Sequence, residues 1–319
     1  MSIQAIKLCG CLWLMASLAA PCQQARQFGL LRSLDTGEKV LSLNWSNQSF
    51  CRLLAGTNLK DWLAIATLNG GSMLSVTDSA APFFPRRFYS AYTPTGAVII
   101  TGDHIHTTEG DLIIHPMNHA TLLLYWNGRA IYADPTNSAA GLSGLPKADL
   151  ILLTHSHNDH FNTNSLFALT NAGTVILGFS NVINALHPAL RSYAAAMTNG
   201  SSTNVYGINI QAVPAYNTNA SYHPKGVGNG YVLSLAGLRI YISGDTDAAP
   251  ELNTLTNLDV AFICMRLPYT MDITNAALLV RRIQPRVVYP YHFRDSDVEL
   301  FKRMVGTDLP VEVRLRKWY

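Results

Sequence analysis

From about residue 30 to residue 92, hydrophobic and polar positions alternate in short runs. The stretches 40–45, 49–54, 62–67 and 72–77 each read with period two. Gly56-Thr57-Asn58 and Asn69-Gly70-Gly71 break them apart. Period-two alternation marks a half-buried strand, and several short strands punctuated by turns predict a small all-β sandwich. Beyond residue 97 the text changes. Apolar runs at 111–116, 120–126, 129–133 and 148–153 read as strands, with Asn127-Gly128 as a hairpin turn. Asn162 to Asn164 supply caps for a helix starting near Ser165. Strands follow at 173–177, 208–213, 231–235, 238–243, 260–264, 286–290 and 311–316. Helical stretches fall near 181–196, 274–283 and 297–305. Two β-rich halves that each carry helices predict an α+β fold.

Three segments result. Residues 1–25 have the form of a secretory signal peptide, with Lys7, an apolar stretch over 8–18, and Ala19-Ala20 as small residues for cleavage. The apolar run is too short for a transmembrane span. A secreted or periplasmic location follows. Leu18-Ala19-Ala20-Pro21-Cys22 resembles a bacterial lipoprotein signal, although proline directly before Cys22 is atypical of one. Residues 26–92 form the small β-sandwich module, Tyr92 to Gly96 the linker, and residues 97–319 the larger domain.

Composition narrows the partners. The chain is 48% apolar and 13% charged, which leaves ample material for a core. A net charge of +3, with no long run of Lys and Arg, does not suggest a nucleic-acid partner, and none is expected. Five cysteines, three of them before residue 26, are too few for a disulfide scaffold, so the core must supply stability.

The chemistry concentrates at Thr154-His155-Ser156-His157-Asn158-Asp159-His160-Phe161. Only 10 histidines occur in 319 residues, and three of them fall here, at the mouth of a buried strand. Imidazole nitrogens and carboxylate oxygens are what divalent cations bind. The spacing puts His155 and His157 on one side, with Asp159 and His160 brought round by the next turn.

His-x-His-x-Asp-His after an apolar strand resembles the metallo-β-lactamase-fold hydrolases, from near Ala97 to Tyr319. The resemblance implies a four-layer αβ/βα sandwich and two divalent metal ions, zinc or alternatively manganese. Gly244-Asp245-Thr246 matches the family's bridging carboxylate, and His292 in Tyr291-His292-Phe293 its final histidine ligand. The implied ligands are His155, His157, Asp159, His160, Asp245 and His292, with Asp159 also orienting the nucleophile. Many members carry a histidine where this chain has Tyr216-Asn217; His223 or Tyr216 is left to fill that position. Asp134 and His119 match positions bordering the site, Asp134 as partner to a ligand histidine. His104, His106 and His187 read as structural.

The segment from Val213 through His223 to Asp245 is similar to the lactonase-like and N-acylphosphatidylethanolamine phospholipase-like branch. The module at 26–92 is similar to immunoglobulin-like or fibronectin-like accessory domains. The implied activity is attack of a metal-activated hydroxide on an ester-like bond (a lactone, a phosphodiester or a relative) in a small-molecule or lipid-like substrate. The alternative is a secreted binding protein that keeps the fold as a scaffold, with the β-module as its working part.

Overall fold

The structure, a computed structural model, describes residues 28–45, 49–96, 98–219 and 222–319. The proposed leader, with Cys9, Cys11 and Cys22, lies outside the described residues. The chain divides into two units.

The first unit runs to His106 and takes in Gly110–His115. Strands β1 (Phe28–Ser33), β2 (Lys39–Trp45) and β5 (Gly71–Asp78) form one sheet, in which β2 pairs antiparallel with both neighbours. Strands β3 (Cys51–Gly56), β4 (Leu63–Leu68), β6 (Phe88–Tyr92) and β7 (Gly102–Thr107) follow the order β6-β3-β4-β7. Leu41, Leu43 and Trp45 of β2 share a core with Cys51, Leu53 and Ala55 of β3 and Tyr89 of β6. Alternate residues meet there because successive side chains of a strand point to opposite faces. The first unit extends past the Tyr92–Gly96 linker: Ala66 pairs with Asp103 and Thr67 with Gly102, so β7 is tied to β4.

Strand β8 (Gly110–Asn118) leads into the second unit, which holds Pro116–Tyr319. Here β9 (Thr121–Trp126), β10 (Arg129–Ala133), β11 (Leu150–Leu153), β12 (Val175–Gly178) and β13 (Ala194–Ala196) lie side by side in that order. Strands β10 to β13 pair parallel. All four residues of β11 are buried, as a central parallel strand requires. The second sheet has seven strands in sequence order: β14 (Ser202–Val205), β15 (Ile208–Pro214), β16 (Asn229–Leu235), β17 (Leu238–Ile242), β18 (Val260–Cys264), β19 (Val287–Tyr291) and β20 (Glu312–Val313). It begins as an antiparallel meander and turns parallel from β17 onward.

Four α-helices complete the described second unit: α1 (Thr163–Leu169), α2 (Ser180–Ala185), α3 (Ile273–Ile283) and α4 (Val298–Val305). Asn162 caps α1 by accepting from Ser165 N at 3.0 Å, and Asp272 caps α3 by accepting from Asn275 N at 2.7 Å. Ala276, Ala277, Leu279, Val280 and Ile283 form the buried stripe of α3.

Two expected elements are shorter. The single helix expected over 181–196 ends at Ala185, because Pro188 has no N–H to donate and holds His187 out of helical conformation. A 3₁₀ turn and then β13 take its place. The closing strand pairs only through Glu312 and Val313. No helix among the described residues is long and apolar enough to cross a membrane.

Candidate metal centre

Strand ends deliver the site. Asp134 follows β10, Thr154 and His155 follow β11, Asp245 follows β17 and His292 follows β19. Ligand sites of α/β sheets lie at such carboxyl ends, where side chains leave the sheet but stay anchored by it. His119 comes from the turn between β8 and β9, and His223 from the loop between β15 and β16. His119, Asp134 and His292 take left-handed φ values of 54°, 41° and 49°. Gly244, at φ 61°, needs to be glycine: a Cβ would stand 3.0 Å from both Asn229 O and Thr154 Cβ.

These turns gather the side chains into overlapping groups. His155, His157 and His223 form one; His119, Asp159, His160 and His292 form another; His155, His160 and Asp245 form a third. Within each group the candidate ligand atoms lie within 4.8 Å of one another. Asp245 stands between the first two. Its Oδ2 is 3.4 Å from His223 Nε2 and 3.4 Å from His292 Nε2, and its Oδ1 is 3.3 Å from His160 Nε2.

A ring of hydrogen bonds fixes which nitrogen each histidine presents. Thr154 donates its N–H and hydroxyl to Asp134, at 2.8 and 2.6 Å. The same carboxylate accepts from His160 Nδ1 at 2.7 Å, so Nε2 of His160 faces Asp245. His155 Nδ1 donates to Thr154 Oγ1 at 3.0 Å, and His223 Nδ1 to Asn217 Oδ1 at 2.9 Å. Backbone and carboxylate partners of this kind set the tautomer of a metal-binding histidine.

The inward-facing atoms test the fit of a cation. Nε2 of His160, Nε2 of His223, Oδ1 of Asp245 and both ring nitrogens of His292 are buried without a hydrogen-bond partner among the described residues. A buried polar atom left unpaired costs about 1–3 kcal/mol, so such a cluster needs a ligand to explain it. Imidazole nitrogen and carboxylate oxygen are the donor set of divalent zinc or manganese. The residues fit the group.

The beta-lactamase superfamily domain matches residues 114–292. A UPF0173 metal-dependent hydrolase of Thermococcus kodakarensis is 30% identical over 216 residues, spanning 62% of this chain and 93% of that protein. The chain belongs to this superfamily. It is a metal-dependent hydrolase of the metallo-β-lactamase fold. A second UPF0173 hydrolase, from Pyrococcus abyssi, is 30% identical over 175 residues, covering 52% of this chain and 77% of its own. A solved structure from Parabacteroides distasonis superposes with a TM-score of 0.63 at 33% identity, over 69% of this chain and 100% of that one.

Charge in the hydrolase site is arranged around the carboxylates. Burial alone would raise Asp245, but the surrounding His160, His292 and His155 hold it well below the usual carboxylate range. Burial would likewise raise Asp159, yet contacts with His119 and His292 and the charge of His160 lower it. Burial pushes His155 well down, with His160 adding to the effect. It would also lower His160, but Asp245 and Asp134 reverse the direction.

The residues named from sequence are brought together, namely His155, His157, Asp159, His160, Asp245 and His292 with His223. Tyr216 is not among them; its hydroxyl donates to Glu251 at 2.9 Å. His119 does more than border the site, holding Asp159 Oδ2 at 2.9 Å through Nε2. His104 is buried in β7 between Thr67 and Asp111, and His187 caps the 3₁₀ turn. Thr154, Asn217 and Tyr319 had no sequence signal of their own. Tyr319 accepts from Arg294 N at 2.9 Å and donates to His119 Nδ1 at 2.8 Å, so it reaches the site only through tertiary contact.

Proposed function

We propose that the protein hydrolyses ester-like bonds (lactones, phosphodiesters or related esters) of small-molecule or lipid-like substrates, using two divalent cations. Zinc is the expected metal and manganese the alternative. The observation that carries this reading is Asp245 lying within reach of unpaired Nε2 atoms of both His223 and His292. His155, His157 and His223 would hold one cation, and Asp159, His160 and His292 the other, with Asp245 serving both. Such a pair supplies an activated water and offsets negative charge at the scissile group. Asp159 is half-exposed and stays ionised, so it can accept a hydrogen bond from a water and orient it. His119 keeps that carboxylate in place.

The reading extends to the flanks of the chain. Residues 1–25 would direct the protein to a secreted or periplasmic location, and the first unit would act as an immunoglobulin-like or fibronectin-like accessory module. Elemental analysis after zinc or manganese supplementation tests the centre: about two metals per chain are expected. Less than about half an equivalent overturns the two-cation reading. Hydrolysis of aryl esters, lactones and bis-(p-nitrophenyl) phosphate then sorts the bond class, and His157→Ala should abolish whichever activity is found.

A further inference from the structure

Arg266 follows β18, on a short loop tied to itself. Its carbonyl accepts from the N–H groups of Tyr269 and Thr270, each at 2.9 Å, and its own N–H donates to Thr270 Oγ1 at 2.7 Å. The loop is therefore a fixed mount. The guanidinium sits over the Tyr269 ring, 5.0 Å from its centroid.

Contacts of Tyr269 tie that guanidinium to the centre. The Tyr269 carbonyl accepts from His223 Nδ1 at 3.1 Å, and its ring meets Tyr222 edge to face at 4.8 Å. Tyr222 lines the cleft that opens onto His155 and His157. Arg266 is thus joined through Tyr269 to His223, one of the histidines of the cluster.

Four other arginines of the unit have acidic partners, Arg129 with Asp149, Arg281 with Asp308, Arg286 with Asp259 and Arg314 with Glu312, whereas Arg191, Arg239 and Arg282 donate to carbonyl or amide oxygens. Among the described residues no such ion pair forms for Arg266, although it is half-buried. A partly buried charge without a counter-charge calls for a partner. Stacking on a ring occupies the face of a guanidinium and leaves its N–H edge free, and that edge matches a carboxylate or phosphate bidentately. Beside it, Tyr222, Tyr269 and Leu267 expose 42%, 37% and 65% of their surface. They offer an apolar rim for the body of a substrate.

We propose that Arg266 binds a carboxylate or phosphate that the substrate carries in addition to the bond being broken, so that the substrates are anionic esters. The proposal rests on the hydrolytic reading of the centre. Arg266 is then a specificity residue, setting which esters are held and leaving the bond chemistry to the His/Asp cluster.

The test compares probes with one and two oxyanions on the zinc-loaded protein by calorimetry. Benzoate occupies the cations alone, whereas terephthalate and 4-phosphonobenzoate add a second group for Arg266. The second anion should tighten binding about tenfold or more, the worth of a charge-assisted hydrogen-bond pair. Whichever of the two gains more identifies the oxyanion as carboxylate or phosphate. In Arg266→Gln the gain should vanish, and in Arg266→Lys, which keeps charge but not the fork, it should be intermediate. Metal content and circular dichroism verify that both variants are folded. No gain in the unaltered protein, or an equal gain in Arg266→Gln, overturns the proposal. Ester hydrolysis by the unaltered protein is assayed separately; its absence counts against the ester reading and leaves the binding ratio to decide the role of Arg266.

Discussion

Asn217 Oδ1 accepts from both the backbone N–H and the ring Nδ1–H of His223, each at 2.9 Å. With the Tyr269 carbonyl, 3.1 Å from the same Nδ1, that oxygen turns His223 Nε2 towards Asp245. The Asn217 amide is itself held, donating to Asp247 at 3.1 Å and to the Tyr269 carbonyl at 2.9 Å. Asn217→Leu keeps the volume but removes the shorter of the two hydrogen bonds that hold the ring. It should weaken binding of one metal by about 10–100-fold, the usual cost of losing such a partner. His223→Ala should remove that metal outright. Metal titration followed by elemental analysis separates the two results, and wild-type affinity in Asn217→Leu would show that the contact does not position His223.

Asp134 is 1% exposed and accepts from Thr154 N, Thr154 Oγ1 and His160 Nδ1. Asp134→Asn puts an amide N–H against groups that all donate. Stability measured by urea unfolding should fall by about 1.5–3 kcal/mol, the range for a hydrogen bond to a charged group. His160 should also lose its fixed orientation, so metal content should drop with it. Unchanged metal content would mean that His160 does not depend on Asp134.

The site's motif was legible because its residues are chemically rare and adjacent: three histidines within residues 155–160 need no tertiary information to be seen. Asp245 and His292 were legible for a related reason, each ending an apolar strand. The partners that orient them were not. Asn217, Thr154 and Tyr319 are ordinary residues whose roles arise from loops meeting in space, as when Tyr319 reaches His119 across 200 positions. Most strands of the second unit were read within a few residues because buried strands there are continuous apolar runs, whereas β13 was read as helix and β14, half exposed, was passed over. The failure at 181–196 came from giving apolar content more weight than Pro188. Strand β1 was passed over because its partner β2 supplies the pairing that its own sequence does not announce.

Cys264 lies at the end of β18, fully buried. Burial and the nearby Asp245 charge push its thiol up to about 12. A thiol so protonated and covered is a poor nucleophile. Iodoacetamide at pH 8 should therefore leave Cys264 unmodified in the folded protein and label it after unfolding in guanidinium, as read by mass spectrometry. Rapid labelling of the native protein would show that this part of the sheet opens.

Asp308 is drawn down to about 2 by its hydrogen bonds with Arg281, which also donates to Val305 O at the end of α4. A free aspartate titrates near ~3.9. Because the folded value is the lower one, the contribution of this pair is fully present above about pH 4 and is lost as pH falls through about 2. The difference in urea midpoint between the wild type and Asp308→Asn should then shrink steadily from pH 4 towards pH 2. A difference that stays constant over that window would assign the effect to shape and not to charge. Both side chains face solvent, so the effect should be small and weaken with salt.

The left-handed backbone at His119 and His292 has an evolutionary consequence. A residue with a side chain is strained there by about 1–3 kcal/mol, whereas glycine is not. The scaffold would fold more readily with glycine at these turns, and catalysis and robustness pull these two positions in opposite directions. A lineage released from the need for hydrolysis should drift quickly to glycine or asparagine at these turns. An engineer seeking a hyperstable, inert version of the fold would begin there.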